Sequence, residues 1–187
     1  MEKVMVILAS ESPRRKELLK KLIRDFKVVP SGFDESKLDH ADPVEFAKKA
    51  SHEKAKDVAA KNFNALVIGA DTIVVLGNKI YGKPRDLAHA KEMLMGLSGR
   101  THKVITGVTL IRQGRAVTSN AVTEVTFKEL SEKEIDRYLD KKQVLDKAGS
   151  YAIQEIGKIF VEKIMGDRDN VVGLPLNLLK QMIRLFQ

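Results

Sequence analysis

The sequence predicts an α/β protein in which helices flank a mixed, twisted sheet. Three observations carry that prediction. Apolar runs without alternation, at 4–8 and 66–75, suit strands buried on both faces. Segments with helical spacing follow them, each opened by a capping residue at Ser12, Asp42, Asp86 or Ser131. Two long Val-, Thr- and Ile-rich segments meet at Gln113-Gly114, a hairpin that makes an otherwise βα-like sheet mixed.

Taken in chain order, the run 4–8 breaks at Ala9-Ser10. Ser12 then caps a helix with Pro13 in its first turn, and Leu18, Leu19, Leu22 and Ile23 recur at helical spacing. Residues 27–30 read as a second strand, and the loop after it carries Asp34 and Glu35. Asp42-Pro43 opens a helix reaching about Lys61, with Phe46, Ala50 and Lys54 on its packing face. The strand 66–75 contains Gly69, Asp71 and Thr72, and Gly77-Asn78 turns tightly into Ile80-Tyr81. Asp86 starts a helix ending near Ser98-Gly99; strands 101–112 and 115–128 form the hairpin. Ser131 and Glu134 match a capping box and begin a helix to about Lys141. Residues 159–164 alternate like a strand, 166–170 form a loop, and Pro175 begins the last helix. With no repeat or low-complexity linker, 187 residues of 43% hydrophobic content fit one domain or two closely packed lobes.

Composition narrows the chemistry. Zero cysteines exclude disulfides and thiolate metal sites, so a metal must be held by oxygen or imidazole. His40, His52, His89 and His102 show neither metal spacing nor pairing with a serine nucleophile and read as structural or surface residues, which leaves carboxylates with Mg²⁺ or Mn²⁺. No apolar run approaches the roughly 18 residues of a membrane span, and no signal-peptide order opens the chain, so a soluble, cytoplasmic protein without membrane contact is expected. The net charge of +8 favours a polyanion or a solvated surface. Its lysines are spread along the chain, aromatic residues are 5%, and no RNA-binding or zinc-finger spacing occurs, which argues against nucleic acid; a triphosphate is also a polyanion, and the charge alone decides little between it and a solvated surface.

Several constellations carry chemistry. At residues 8–15, helix N–H groups, two serine hydroxyls and two guanidiniums converge beyond the end of a buried strand, where an anion would sit. Side chains of neighbouring helical residues point about 100° apart, so one of Arg14 and Arg15 belongs on phosphate and the other elsewhere on the ligand; the alternative is a capped surface helix with two solvated arginines. Asp71 follows Leu66-Val67-Ile68-Gly69-Ala70, a carboxylate delivered at the end of a rigid strand, for which Glu35, Lys54 or a metal would supply the needed company. Gly77 to Lys83 fits G-x-x-x-x-G-K, yet Pro84 stands where a P-loop needs Ser or Thr, so Lys83 is either a phosphate-directed lysine or a solvated one. Gln154 follows small residues that allow close ligand approach, and its amide could read a base edge or be solvated.

Six separated motifs in register resemble the Maf family over almost the whole chain. They are Ala9-Ser10-x-Ser12-Pro13-Arg14-Arg15-x-Glu17-Leu18-Leu19, Gly69-Ala70-Asp71-Thr72, Gly82-Lys83-Pro84, Leu97-Ser98-Gly99-Arg100-Thr101-His102, Asp146-Lys147-Ala148-Gly149 and Asn170-Val171-Val172-Gly173-Leu174-Pro175. The resemblance implies an elongated, two-lobed fold like that of inosine triphosphate pyrophosphatases, with residues 1–187 as one domain whose lobes share a central cleft, often as a homodimer. It implies divalent-cation-dependent hydrolysis of nucleoside triphosphates to a monophosphate and pyrophosphate. Arg14, Thr72 and Gln154 look like the dTTP/UTP branch, while Glu155 and Arg168 depart from the residues usual beside that pattern. Carried over to matching positions, Ser10, Arg15, Lys54 and Lys83 would hold phosphates, Glu35 and Asp71 would bind the cation, and Arg14, Thr72 and Gln154 would discriminate the base. Asp71 would also be the proton acceptor. A carboxylate with an ordinary pKa of about 3.9 is a weak base at neutral pH, which a metal-acidified water would offset, so Asp71 is expected to do both. The alternatives are 7-methyl-GTP or another non-standard nucleotide as substrate and, from a different class, a nucleic-acid-binding regulator of septum formation.

Overall fold

The computed structural model describes residues 4–38, 42–141, 144–156 and 159–186. The expectation for His40 falls outside them. β1 (Val6–Leu8) leads to α1 (Pro13–Lys20) and β2 (Lys27–Val28), and a 3-10 turn at Glu35–Lys37 precedes α2 (Pro43–Ala59). β3 (Leu66–Leu76), β4 (Lys79–Tyr81), α3 (Leu87–Leu97), β5 (Thr101–Arg112) and β6 (Arg115–Phe127) follow. The chain continues through α4 (Glu132–Lys141), a 3-10 turn at Ala148–Ser150, α5 (Ile153–Ile156), β7 (Val161–Met165), α6 (Arg168–Val172) and α7 (Leu176–Arg184).

The predicted mixed sheet is present. Among the described residues seven strands form one sheet in the order β2-β1-β3-β5-β6-β7, with β4 added to β3. β1 runs parallel to β2 and β3, and the other pairs are antiparallel. Local signals hold where side chains close the caps. Ser12 Oγ accepts from Arg15 N, Asp42 Oδ1 from Val44 N and Glu45 N, and Asp86 Oδ1 from His89 N, while Ser131 and Glu134 bond reciprocally. At the hairpin Gln113 and Gly114 both take positive φ, as the tight turn between twisted strands requires.

Four boundaries differ. β2 pairs over two residues, stopping short of Pro30, which has no N–H to donate. β7 starts at Val161 because Ile159 N and Phe160 N still close turns onto Ile156 O. The polar loop at 166–170 winds instead into α6, capped by Asp167, whose Oδ1 accepts from Asp169 N. Asp71 is not at a strand end, since antiparallel pairing to β5 from Val67 to Val75 carries β3 straight through it.

That pairing pattern positions the site. One edge of β3 is filled by β5, whereas the other holds β1 at Leu66–Ile68 and β4 at Val74–Leu76. Residues 69–73 pair with no described strand on that side. α2 lies across the sheet at this gap because two glycines let it approach: a Cβ on Gly69 would sit 2.4 Å from Ser51 O, and one on Gly107 2.1 Å from Ala47 O. Ser51 Oγ bonds Thr109 Oγ1 at 2.9 Å, and Phe46, Ala47 and Val58 are buried along the same stripe. Burying Phe46 contributes roughly 1.5–3 kcal/mol. The opposite face carries two apolar clusters. Leu8, Leu18, Leu19, Ile68, Ala70 and Leu179 make one, with α1 and α7; Val74, Leu94, Phe127, Ile135, Ile153 and Phe160 make the other, with α3, α4 and α5.

Candidate active site

A cavity of about 560 Å³ opens at the gap in β3, bounded by Ser10, Arg14 and Arg15 on one side and by Asp146, Lys147 and Gln154 on the other. Every residue singled out in the sequence lines it: Ser10, Arg14, Arg15, Glu35, Lys54, Asp71, Thr72, Lys83 and Gln154. Successive strand residues point to opposite faces, so Asp71 and Thr72 serve two different groups of partners.

On the α2 side, Lys54 Nζ donates to Asp71 Oδ1 at 2.6 Å and to Glu35 Oε1. The ammonium sits between two carboxylates, one of them, Asp71, 4% exposed. Asp71 Oδ2 is buried and has no hydrogen-bond partner among the described residues. An orphaned carboxylate oxygen is costly unless a ligand completes it. No group of three or more His, Cys, Asp and Glu side chains gathers among the described residues, so a cation here would have Glu35 and Asp71 alone as protein carboxylates. That all-oxygen, low-count donor set suits Mg²⁺ or Mn²⁺, which commonly takes its other ligands from water and phosphate.

On the other side stands Arg15. Its Nε donates to Gly173 O at 2.8 Å, Nη1 to Ser10 Oγ at 3.2 Å and Nη2 to Thr72 Oγ1 at 3.0 Å. Burial pulls the guanidinium below its ordinary pKa, against the upward pull of the Asp71 and Glu35 charges. Three of its five N–H groups are therefore engaged and two remain for a ligand. Ser10 Oγ accepts from both Arg15 and Ser12 N, which leaves its own O–H free to donate. Thr106 Oγ1 donates to Asn170 O at 3.1 Å, so in the 2.9 Å contact between the two threonines the proton comes from Thr72. A directed chain results, Arg15 to Thr72 to Thr106 to the Asn170 carbonyl. Thr72 can meet a ligand only as an acceptor.

At the rim, Arg14 Nη1 lies 3.5 Å from Asp146 Oδ2, and Lys147 Nζ donates to Asp146 Oδ1 at 2.8 Å. Lys83 is exposed on the segment after β4. The glycine beginning the P-loop-like pattern, Gly77, is the β3–β4 turn at φ +59, so that pattern forms no phosphate loop. Gln154 stands exposed in the first turn of α5, not in a loop.

Two buried polar groups have partners the sequence did not disclose, one of them His102, which the sequence reads only as structural or surface. Asn170, fully buried, donates from Nδ2 to Val104 O and Thr123 Oγ1. His102 is 1% exposed; its Nε2 contacts Tyr151 Oη at 2.7 Å, and burial drives its pKa down to about 4. Both lie inside quoted motifs, but nothing in the spacing reveals a partner 47 or more residues away.

The chain resembles known proteins from end to end. It is 48% identical over 181 residues to proteins named dTTP/UTP pyrophosphatase from Bacillus cereus (strain AH187) and Bacillus anthracis (strain CDC 684 / NRRL 3495), covering 97% of this chain and 95% of each of those. The Staphylococcus aureus Ham1 protein shares the fold, with a TM-score of 0.51 over 98% of this chain and all of that one, at 16% identity. The Maf-like protein family matches residues 5–186, and with relatives this similar over this much of its length the chain belongs to the Maf family.

Proposed function

We propose that the chain is a nucleoside triphosphate pyrophosphatase acting on dTTP and UTP. The observation that carries this reading is the Glu35–Lys54–Asp71 group, with the unpartnered Asp71 Oδ2 beside the free donors of Ser10 and Arg15. The identity to the Bacillus proteins supports the substrate.

In this reading the phosphates lie against Ser10 O–H, the two remaining Arg15 N–H groups and the exposed Lys83, all of them donors to phosphate oxygen. Lys54 offsets part of the charge of the two carboxylates and reaches the phosphate oxygens. Glu35 and Asp71 hold a divalent cation, which when bound offsets triphosphate charge and makes water a better nucleophile. Asp71 accepts the water proton as the water oxygen attacks the α phosphorus. The bridging α–β bond breaks, leaving a monophosphate and pyrophosphate. The chemistry is positioning plus charge neutralisation on groups that β3 and α2 hold rigid. Arg14, Thr72 and Gln154 discriminate the base. Residues 1–187 act as one domain with two lobes sharing the cleft. The family resemblance further supports a cytoplasmic homodimer that cleans the nucleotide pool, with a link to septum formation; no described helix is long and apolar enough to cross a membrane.

Pyrophosphate release from UTP, dTTP, CTP, ATP, GTP and 7-methyl-GTP, with Mg²⁺ or Mn²⁺, tests the proposal. UTP and dTTP should lead. Preference for 7-methyl-GTP would overturn the substrate, and salt-sensitive nucleic-acid binding with no pyrophosphate from any triphosphate would overturn the enzyme.

A further inference from the structure

The rim of the cleft contains a carboxylate that the proposed chemistry does not use. Asp146 sits between two cations from different parts of the chain, Arg14 in the first turn of α1 and Lys147 next to it in sequence. The three are unequally exposed. The Lys147 side chain is 7% exposed and Arg14 26%, while Asp146 is 58% exposed. The turn carrying Asp146 is itself fixed. Lys147 N donates to Val144 O, Gly149 N donates to Gly82 O, and Gly149 at φ +68 packs so closely on Val74 that a Cβ would meet its Cγ2 at 2.9 Å. A carboxylate on so rigid a turn can hold a longer, more flexible side chain in place.

We infer that Asp146 is a specificity-positioning residue, which aims the Arg14 guanidinium at the carbonyl edge of a uracil or thymine base. This rests on the pyrimidine-triphosphate reading above. Arginine carries five N–H donors and no acceptor. Uracil and thymine present a carbonyl oxygen at C4 where cytosine presents an amino group, so a guanidinium aimed at that position bonds the first two and faces a donor on the third. The ion pair with Asp146 at 3.5 Å steadies the guanidinium from one side and leaves its N–H donors for the base. The anchored partner also limits the rotamers that would otherwise let Arg14 swing into solvent, so less entropy is lost when the base arrives. Asp146 has a second effect on selectivity. A free carboxylate at the rim would accept from the cytosine amino group, but here Lys147 donates to one Asp146 oxygen and Arg14 pairs with the other, which makes it a weaker acceptor for that group.

Electrostatics agree with the geometry. Burial pushes the Asp146 carboxyl up, but the Lys147 hydrogen bond and the charges of Lys147 and Arg14 outweigh it and hold the group below the ordinary carboxylate range. Asp146 is thus ionised throughout the range in which the enzyme would be assayed.

The test is the ratio of kcat/KM for UTP to that for CTP in the wild type, Asp146→Asn, Arg14→Ala and the double variant, with thermal melts on each. The expected result is a ratio about tenfold lower in Asp146→Asn, the size of one positioned hydrogen bond, appearing mainly as a higher KM for UTP with kcat within about twofold. Arg14→Ala should lower the ratio at least as far, and adding Asp146→Asn to it should change nothing more, because residues acting as one unit are not additive. Asp146→Glu should recover part of the ratio. A ratio in Asp146→Asn within about twofold of wild type overturns the inference, and so does an undiminished effect in the Arg14→Ala background or a wild type that does not prefer UTP to CTP. A wild type releasing no pyrophosphate from UTP overturns instead the reading on which the inference rests.

Discussion

The two sides of β3 at its open edge are built to opposite rules. On the α2 side, among the described residues, Asp71 Oδ1 is bonded and Oδ2 is not, and one lysine holds two carboxylates together. On the other side Thr72, Thr106, Asn170 and Arg15 form a continuous chain in which the Thr72 and Thr106 protons are both placed. One side is incomplete until a ligand arrives; on the other the hydroxyl protons are placed beforehand, and what stays open is two Arg15 N–H groups and, among the described residues, the buried Asn170 Oδ1. Reacting groups are incomplete because a satisfied carboxylate would have nothing to offer a cation or a proton, while their donors must be immobile for that incompleteness to be aimed.

Asp71→Asn should break the comparison hardest. The amide keeps the shape beside Lys54 but loses the charge and the basicity, so kcat for UTP hydrolysis should fall by about 10³-fold, within the usual span of a lost acid–base group, at saturating Mg²⁺ or Mn²⁺. The melting temperature should fall only modestly, since an amide oxygen can still accept from Lys54 in place of Oδ1 and Oδ2 has no partner among the described residues. Turnover near that of wild type would remove Asp71 from the chemistry. The finished side should respond the other way. Asn170→Ala removes the donor to Val104 O and Thr123 Oγ1 in a fully buried site, where Thr123 keeps only its bond to Asp167 O, and about 2 kcal/mol of stability should go with it. Chemical denaturation would read this directly; a loss under about 0.5 kcal/mol would mean the network carries no weight.

The difference between the sides also explains what the sequence could disclose. Capping residues, the hairpin at Gln113-Gly114 and the unalternating strand runs are local, and the structure reproduces them. The residues of the cavity were found because motif register names positions without needing contacts. What the sequence hid depends on pairing between distant segments. Asp71 reads as a strand end because a charge interrupts an apolar run, yet β5 pairs past it and the charge lies within the strand. The polar run 166–170 looks like a loop, but Asp167 caps it and Asn170 buries its side chain between β5 and β6. Nor could any spacing show that Arg15 is tied to Gly173, since 158 residues separate them.

Acid should separate the cleft's walls at a smaller scale. His102 holds Tyr151, which lines the cavity, and is kept neutral by burial with its pKa lowered to about 4. The unfolded chain takes up that proton near the ordinary 6.5, so between about 6.5 and 4 the unfolded state binds more protons than the folded one. Stability should therefore fall as the pH drops through that window and level off below it, by about 2 kcal/mol at pH 5 from this group. Urea midpoints at pH 7 and pH 5 measure it, with His102→Asn as the reference whose pH dependence should be flatter. An identical slope in that variant would assign the acid sensitivity to other groups.

The smallest effect should come from the residue that joins the two sides. Thr72→Val keeps the shape of the side chain and removes a hydroxyl that accepts from Arg15 and donates to Thr106. Thr106 retains its bond to the Asn170 carbonyl, so the chain is shortened by one member and its far end stays intact. Arg15 keeps its bonds to Gly173 and Ser10 but loses its third anchor. The stability loss should be about 1 kcal/mol, the net worth of one ordinary hydrogen bond. For catalysis the sign of the split is informative: a scaffold role predicts a higher KM for every triphosphate, because phosphates meet a looser Arg15, whereas a base-reading role predicts a loss confined to UTP and dTTP. Thr72→Ser restores the hydroxyl and should return both quantities toward wild type. If KM rises for UTP alone while ATP is untouched, Thr72 acts on the base through its remaining lone pair, and the finished side of the strand also takes part in recognition.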